Sequence, residues 1–215
     1  MPTLVWAGRP FFTDDAGLTT AGKCQVESWV QVNQSDTKDM WTVPACNPSG
    51  NFELSLGLNY FQVSQQEDVK SYLLQGKTLF RELEANSWGL GFAAGVIRSG
   101  QQSEGTDFAY FPLSISALDS DLMLHLNVGW LRDRTLSANR STWGVGAEYA
   151  LLPKAALFLE AFGDDAQKPL WHSGLNVALL PERIYLNLTY GRNLAFADDN
   201  RFYSIGLNFY SIPWR

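Results

Sequence analysis

Residues 51–61, NFELSLGLNYF, place Phe52, Leu54, Leu56, Leu58 and Tyr60 on one parity and Glu53, Ser55, Gly57 and Asn59 on the other. Successive side chains of a β-strand point to opposite faces, so this stretch reads as a strand with one apolar and one polar face. The same two-residue period recurs along the chain. A helix would need apolar residues at i, i+3, i+4 and i+7 over ten or more positions, and no segment supplies them convincingly. Twelve alternating segments emerge, at 23–33, 39–46, 51–64, 70–82, 87–97, 107–118, 122–131, 141–151, 156–163, 170–180, 184–192 and 201–211. Most run for about 9–11 residues, the length a tilted strand needs to cross a bilayer. An even number returns both termini to one side.

The connections differ at the two ends. After the even-numbered segments they are tight, as in Asn47-Pro48-Ser49-Gly50, Asp119-Ser120 and Leu152-Pro153-Lys154. After the odd-numbered ones they are polar and mostly longer, as in RSGQQSEGT and RDRTLSANR. Short turns on one side and longer loops on the other predict an outer-membrane barrel whose termini and short turns are periplasmic.

The apolar parity includes Val30, Leu56, Leu74, Phe92, Leu126, Val145, Leu159, Val177, Leu188 and Leu207, none of them charged. A Lys or Arg at mid-bilayer on that face would cost about 2–4 kcal/mol, so their absence is what lipid requires. Aromatic residues cluster at its ends. Tyr60, Trp130, Trp143, Trp171, Tyr190 and Tyr203 fall at the outer rim, and Phe52, Phe80, Trp88, Tyr149 and Phe209 at the periplasmic rim. Two such belts are the interfacial girdles of a membrane barrel.

A soluble barrel with the apolar face inside, binding a lipophilic ligand, is the simplest competitor. The chain is only 18% charged, and its polar parity is rich in Gly and Asn. A solvent-facing surface of that size carries far more Lys and Glu, whereas small residues suit a crowded lumen. The expected fold is an all-β, transmembrane, antiparallel up-and-down barrel of twelve strands, spanning residues 23–215. The net charge of −6 and the absence of a basic cluster give no footing to a nucleic-acid partner. Outer-membrane lipid, lipopolysaccharide and the barrel-assembly machinery are the partners such a barrel implies. Residues 1–7 read as the stump of a signal peptide, with Val5 and Ala7 before a cleavage point at Gly8.

Cys24 opens the first strand and Cys46 closes the second, opposite each other near the periplasmic edge. A cross-strand disulfide is expected in that oxidising compartment. It would close about 22 residues and contribute about 3 kcal/mol on the chain-entropy account. Two cysteines with His125 and His172 on distant strands make no metal site, and no cofactor is expected.

The opening RPFFTDDAGLTTAGKCQVE, with Arg9, Pro10, Thr13, Asp14, Asp15, Ala16, Gly17, Gly22, Lys23 and Glu27, resembles the start of the outer-membrane channel family named for the meta-pathway of phenol degradation. Further echoes are GNFELSLGLNYF, LHLNVGW at 124–130 and WGVGAEYAL at 143–151. The resemblance implies a narrow twelve-stranded channel admitting small, often hydrophobic or aromatic, solutes by passive diffusion. It departs from the family at Lys77-Thr78, where the family has a Lys-Tyr pair, and at Pro44 in the second strand.

The polar parity supplies the candidate lumen: Glu27, Glu53, Lys77, Arg81, Ser114, His125, Asn127, Glu148, Glu160, His172, Asn176 and Asn187. The carboxylates and the two cations are expected in its periplasmic half. Ser114 faces His125 across a strand pair, which leaves an integral lipid hydrolase as an alternative, although no acid is placed to orient the histidine. Glu148 and Glu160, nearly opposite across one hairpin, invite an acid–base reading, but a charge network bracing the lumen accounts for them better. Residues 8–22 are too polar and turn-rich for another strand. They are expected to fold into the lower lumen as a partial plug, with Asp14 and Asp15 near Lys77 and Arg81, and Phe11 and Phe12 forming an apolar constriction.

Overall fold

The structure is a computed structural model that describes residues 12–34, 36–63, 67–99, 105–194 and 200–214. The signal-peptide stump at 1–7, and Phe11 of the plug, lie outside the described residues. The strands are β1 (Lys23–Asn33), β2 (Lys38–Asn47), β3 (Glu53–Gln62), β4 (Val69–Arg81), β5 (Trp88–Ser99), β6 (Gly105–Ala117), β7 (Leu122–Asp133), β8 (Ala138–Leu152), β9 (Ala155–Asp164), β10 (Leu170–Leu180), β11 (Ile184–Asn193) and β12 (Arg201–Pro213). Each pairs antiparallel with its sequence neighbours, and β1 pairs with β12 to close a barrel. Closure leaves no unpaired edge.

Alternation in the sequence becomes alternation in burial. Along β3, Glu53, Ser55, Gly57 and Asn59 are buried, while Leu54, Leu56 and Leu58 are exposed. Leu56, Leu74, Val128, Val145, Leu159 and Ile205 are among the exposed exterior side chains. The buried interior holds Glu27, Lys77, His125, Glu160 and Asn187. A polar inside and an apolar outside is the reverse of a soluble barrel and matches the transmembrane kind.

Two local features depart from the sequence reading. The β6–β7 connection is not a two-residue turn: Leu118–Ser120 form a short 3-10 stretch with φ of 53°, 55° and 76° at Leu118, Asp119 and Ser120. The Ser114↔His125 register is unaffected. In β4 the ladder to β5 shifts between Leu79 and Arg81. An extra residue in one strand switches the facing of everything after it. Arg81 therefore leaves the lumen parity.

Similar shifts occur between Cys24 and Val26, Ala150 and Leu152, and Ala178 and Leu180. All four lie at the short-turn end of the barrel. The Cys24–Cys46 disulfide is formed there, between directly paired residues of β1 and β2.

Candidate functional site

Residues 12–20 enter the barrel and are tied to its wall on several sides. The Phe12 amide donates to Glu160 Oε1 at 2.9 Å and the Thr13 amide to Glu160 Oε2 at 2.8 Å. The Ala16 amide donates to Ser114 Oγ at 2.8 Å, and the Thr19 amide to Glu53 Oε2 at 2.6 Å. Asn47 Nδ2 donates to the Thr19 carbonyl at 2.7 Å. An irregular segment inside a barrel must find partners for its backbone amides, and here wall carboxylates and hydroxyls supply them.

Charge adds to this. Lys77 Nζ lies 3.0 Å from Asp14 Oδ1 and 3.1 Å from Asp15 Oδ1, and the Tyr110 hydroxyl donates to Asp14 Oδ2 at 2.6 Å. Asn127, with its amide oriented to satisfy both bonds, donates to the Asp14 carbonyl at 2.9 Å and accepts the Asp14 amide at 2.6 Å. Thr13 sits against Gly144, where a β-carbon would stand 2.5 Å from Thr13 Oγ1. Phe12 stacks on Phe162 with centroids 4.3 Å apart and meets His172 and Phe202 edge-on.

Arg81 takes no part. It is exposed, with its guanidinium 4.2 Å over the Trp88 ring, Nε donating to the Trp88 carbonyl at 3.0 Å and Nη2 to Ser87 Oγ at 3.1 Å. Its departure from the lumen follows from the register shift in β4.

Behind the strap, the β7–β12 side of the lumen is packed. His172 Nδ1 and Glu160 Oε1 are 2.7 Å apart, and both side chains are fully buried. Asn176 Nδ2 donates to Glu148 Oε2 at 3.4 Å, and Asn187 donates to Asn176. Phe158 and Phe202 flank His172. Glu148 and Glu160 are offset by two rungs, Glu148 paired with Phe158 and Glu160 with Gly146. Glu160 is committed to two strap amides and to His172.

A cavity of about 860 Å³ occupies the rest of the lumen, lined by Glu27, Trp29, Trp41, Glu53, Gln75 and Lys77 of β1–β4, by Phe108 and Tyr110 of β6, and by residues of β7–β12 such as Thr142, Phe162 and Tyr210. Trp29 and Trp41 are cross-strand partners whose rings stack with centroids 5.8 Å apart. Two rungs to either side of this pair lie Glu27 and Asp39. Among the described residues the lining carries seven carboxylates, Asp14, Asp15, Glu27, Asp39, Glu53, Asp164 and Glu182, and two lysines, Lys77 and Lys168. Trp29, Trp41, Phe108 and Tyr110 did not enter the sequence-derived lumen. Their signal was present, because each is an aromatic on the polar parity of its strand.

Ser114 Oγ lies 2.8 Å from His125 Nδ1. Both are buried, and Ser114 has no exposed surface and already accepts the Ala16 amide. A nucleophile must reach its substrate, and this hydroxyl is covered by the strap. Among the described residues, no group of three or more His, Cys, Asp or Glu is placed to hold a metal ion.

A family model described as uncharacterised conserved protein UCP029691 matches residues 5–209. The chain belongs to this family. The phenol meta-pathway channels therefore stand as a likeness in sequence pattern, and the membership rests on the family model. No curated protein matches the chain. Among solved structures it is similar to the KdgM porin in complex with disordered oligogalacturonate, at TM-score 0.70 and 10% identity, covering 86% of this chain and 98% of that one. It is similar to the NanC porin at TM-score 0.64 and 13% identity, covering 86% and 98%. It is also similar to outer membrane phospholipase A from Escherichia coli, at TM-score 0.52 and 11% identity, covering 93% and 94%. At these identities what is shared is the fold.

Proposed function

We propose that this protein is a passive outer-membrane channel for small hydrophobic or aromatic solutes, with its short-turn end and termini in the periplasm and residues 12–20 acting as a partial plug. The observation that carries the reading is the lumen cavity beside the strap, with Trp29, Trp41, Phe108 and Tyr110 in its wall. Its volume of about 860 Å³ is of the size that holds a drug-sized molecule rather than a folded polymer. The apolar exterior, the barrel fold common to porins and the likeness of residues 9–27 to phenol meta-pathway channels support the same reading.

The charge of the lining narrows the solute. The oligogalacturonate of the KdgM structure is a polyanion. Among the described residues, seven carboxylates line the cavity against two lysines, and Lys77 is held by Asp14 and Asp15. Like charges at close range in a confined site disfavour entry, so acidic saccharides are poor candidates. Trp29 and Trp41 offer ring faces to a flat or apolar solute instead.

A second reading, a lipid hydrolase on Ser114 and His125, is favoured by their 2.8 Å contact and by the likeness to phospholipase A. The full burial of Ser114 beneath Ala16 weighs against it. Liposome swelling tests the main proposal. Phenol-sized neutral aromatics should enter faster than neutral sugars of similar mass, and uronate oligomers slowest. Equal rates for all three, or phospholipid cleavage abolished by His125→Ala, would overturn it.

A further inference from the structure

On the outward face of β5–β7, two arginines converge on one carboxylate and a third stands beside it across the ladder. Asp107 Oδ1 lies 2.5 Å from Arg98 Nη2, and Asp107 Oδ2 lies 2.6 Å from Arg134 Nη2 and accepts Arg134 Nε at 2.7 Å. Arg98 is fixed further by bonds from Nη1 to the Ile97 and Thr106 carbonyls, at 2.9 and 3.1 Å. Arg132 pairs with Asp107 across the β6–β7 ladder.

Backbone geometry makes this convergence possible. Arg98 is the ladder partner of Gly105, and the Arg134 amide donates to the Gly105 carbonyl at 2.9 Å. A β-carbon at Gly105 would stand 2.0 Å from the Ile97 carbonyl oxygen, so no side chain fits between the two arginines. They close over Gly105 onto Asp107, and the patch of three guanidiniums and one carboxylate keeps a net charge of +2. Asp133 is on the opposite parity and accepts the Leu136 amide at 2.9 Å, capping the hairpin rather than the patch.

Depth assigns the counter-ion. Arg132 lies two residues beyond Trp130, an exposed tryptophan of the exterior face. Two residues of strand rise about 7 Å, or about 5 Å along the axis at a tilt near 40°. Interfacial tryptophans mark the headgroup level, so the guanidiniums sit among the headgroups just above it. Arginine forks match phosphate oxygens in pairs, and a protein that spends Asp107 on aligning two of them presents the remaining donors already oriented.

We propose that Arg98, Arg132 and Arg134 form a binding site for a lipid A phosphate of the outer leaflet. The proposal rests on the orientation given under the proposed function, with the hairpin at 134–137 facing outward. Native mass spectrometry of the full chain in detergent, with added bisphosphorylated lipid A, dephosphorylated lipid A or inorganic phosphate, tests it. Wild type should bind the bisphosphorylated form preferentially, and R132Q/R134Q should bind it about tenfold or more weakly. R183Q, at the opposite rim, should match wild type, and circular dichroism should show all three folded alike. Equal affinity in R132Q/R134Q, or equal binding of dephosphorylated lipid A, would overturn the site. Inorganic phosphate bound as tightly as lipid A would overturn the lipid source. Labelling L136C on intact cells with an impermeant maleimide separates the two levels. No labelling overturns orientation and lipid A together, whereas labelling with unchanged lipid A binding overturns the site alone.

Discussion

Thr13 Oγ1 occupies a point 2.5 Å from where a β-carbon on Gly144 would stand. The strap thus lies in contact with bare backbone of β8, in a space that exists because residue 144 has no side chain. Gly144→Val should expel the strap while leaving the ladder intact. Overpacking of this kind costs about 1–3 kcal/mol, here falling on strap docking rather than on the barrel. Single-channel conductance should rise, with β-type circular dichroism unchanged. Wild-type conductance in the variant would show that the strap does not restrict the pore.

Lys77→Met removes the cation shared by Asp14 and Asp15. Lys77 is 4% exposed and Asp15 12%, so stranding the carboxylates is costly, about 3–5 kcal/mol for a fully buried pair and less for Asp14 at 28%. The strap should become open to proteolysis in K77M, and D14N/D15N in that background should restore part of its protection. Equal protease resistance in wild type and K77M would count against the ion pair as a fastening.

Removing the disulfide should lower stability without abolishing the barrel. Cys24 and Cys46 close a separation of 22 residues, for which chain entropy suggests about 3 kcal/mol. C24S/C46S should shift the urea midpoint down while native β-structure persists in the absence of denaturant. An unchanged midpoint would mean that the β1–β2 ladder alone already restrains this hairpin.

Neighbouring residues should respond oppositely to charge. Leu56 is 54% exposed on the exterior, and Ser55 is 4% exposed beside the cavity. Leu56→Arg should impair insertion, by about 2–4 kcal/mol at mid-bilayer, whereas Ser55→Arg should assemble and alter conductance. The yield of folded, heat-modifiable protein from membranes reports the first effect, and planar-bilayer recording the second. Like yields for the two variants would contradict the facing of β3.

The fold was legible because the two-residue period runs through the strands up to the shifts at their short-turn ends, and Leu54-Leu56-Leu58 against Glu53-Ser55-Gly57 needs no tertiary knowledge to interpret. The Cys24–Cys46 pairing followed from the same register. The meeting of Asp14 and Asp15 with Lys77 could be anticipated from charge and from the confinement of a polar segment. Arg81 could not be placed correctly. The shift between Leu79 and Arg81 leaves no mark in the hydrophobic pattern, since Phe80 and Arg81 are both acceptable at a rim. The His172–Glu160 contact was also hidden, because it depends on which residues of β9 and β10 share a rung. The Trp29–Trp41 stack was visible in principle, but two tryptophans on a polar parity carry meaning only once the lumen is known to be open beside them.

The strap draws its partners from Glu53 on β3, Lys77 on β4, Ser114 on β6, Asn127 on β7 and Glu160 on β9. Its resting place is therefore assembled from strands made far apart in time, and the amides of Phe12 and Thr13 wait for a carboxylate 148 and 147 residues downstream. Contacts of such long range form late, because chain closure must precede them. A segment made before the wall that holds it is thus among the last to be seated, and docking of residues 12–20 is a timestamp for completion of the wall around it.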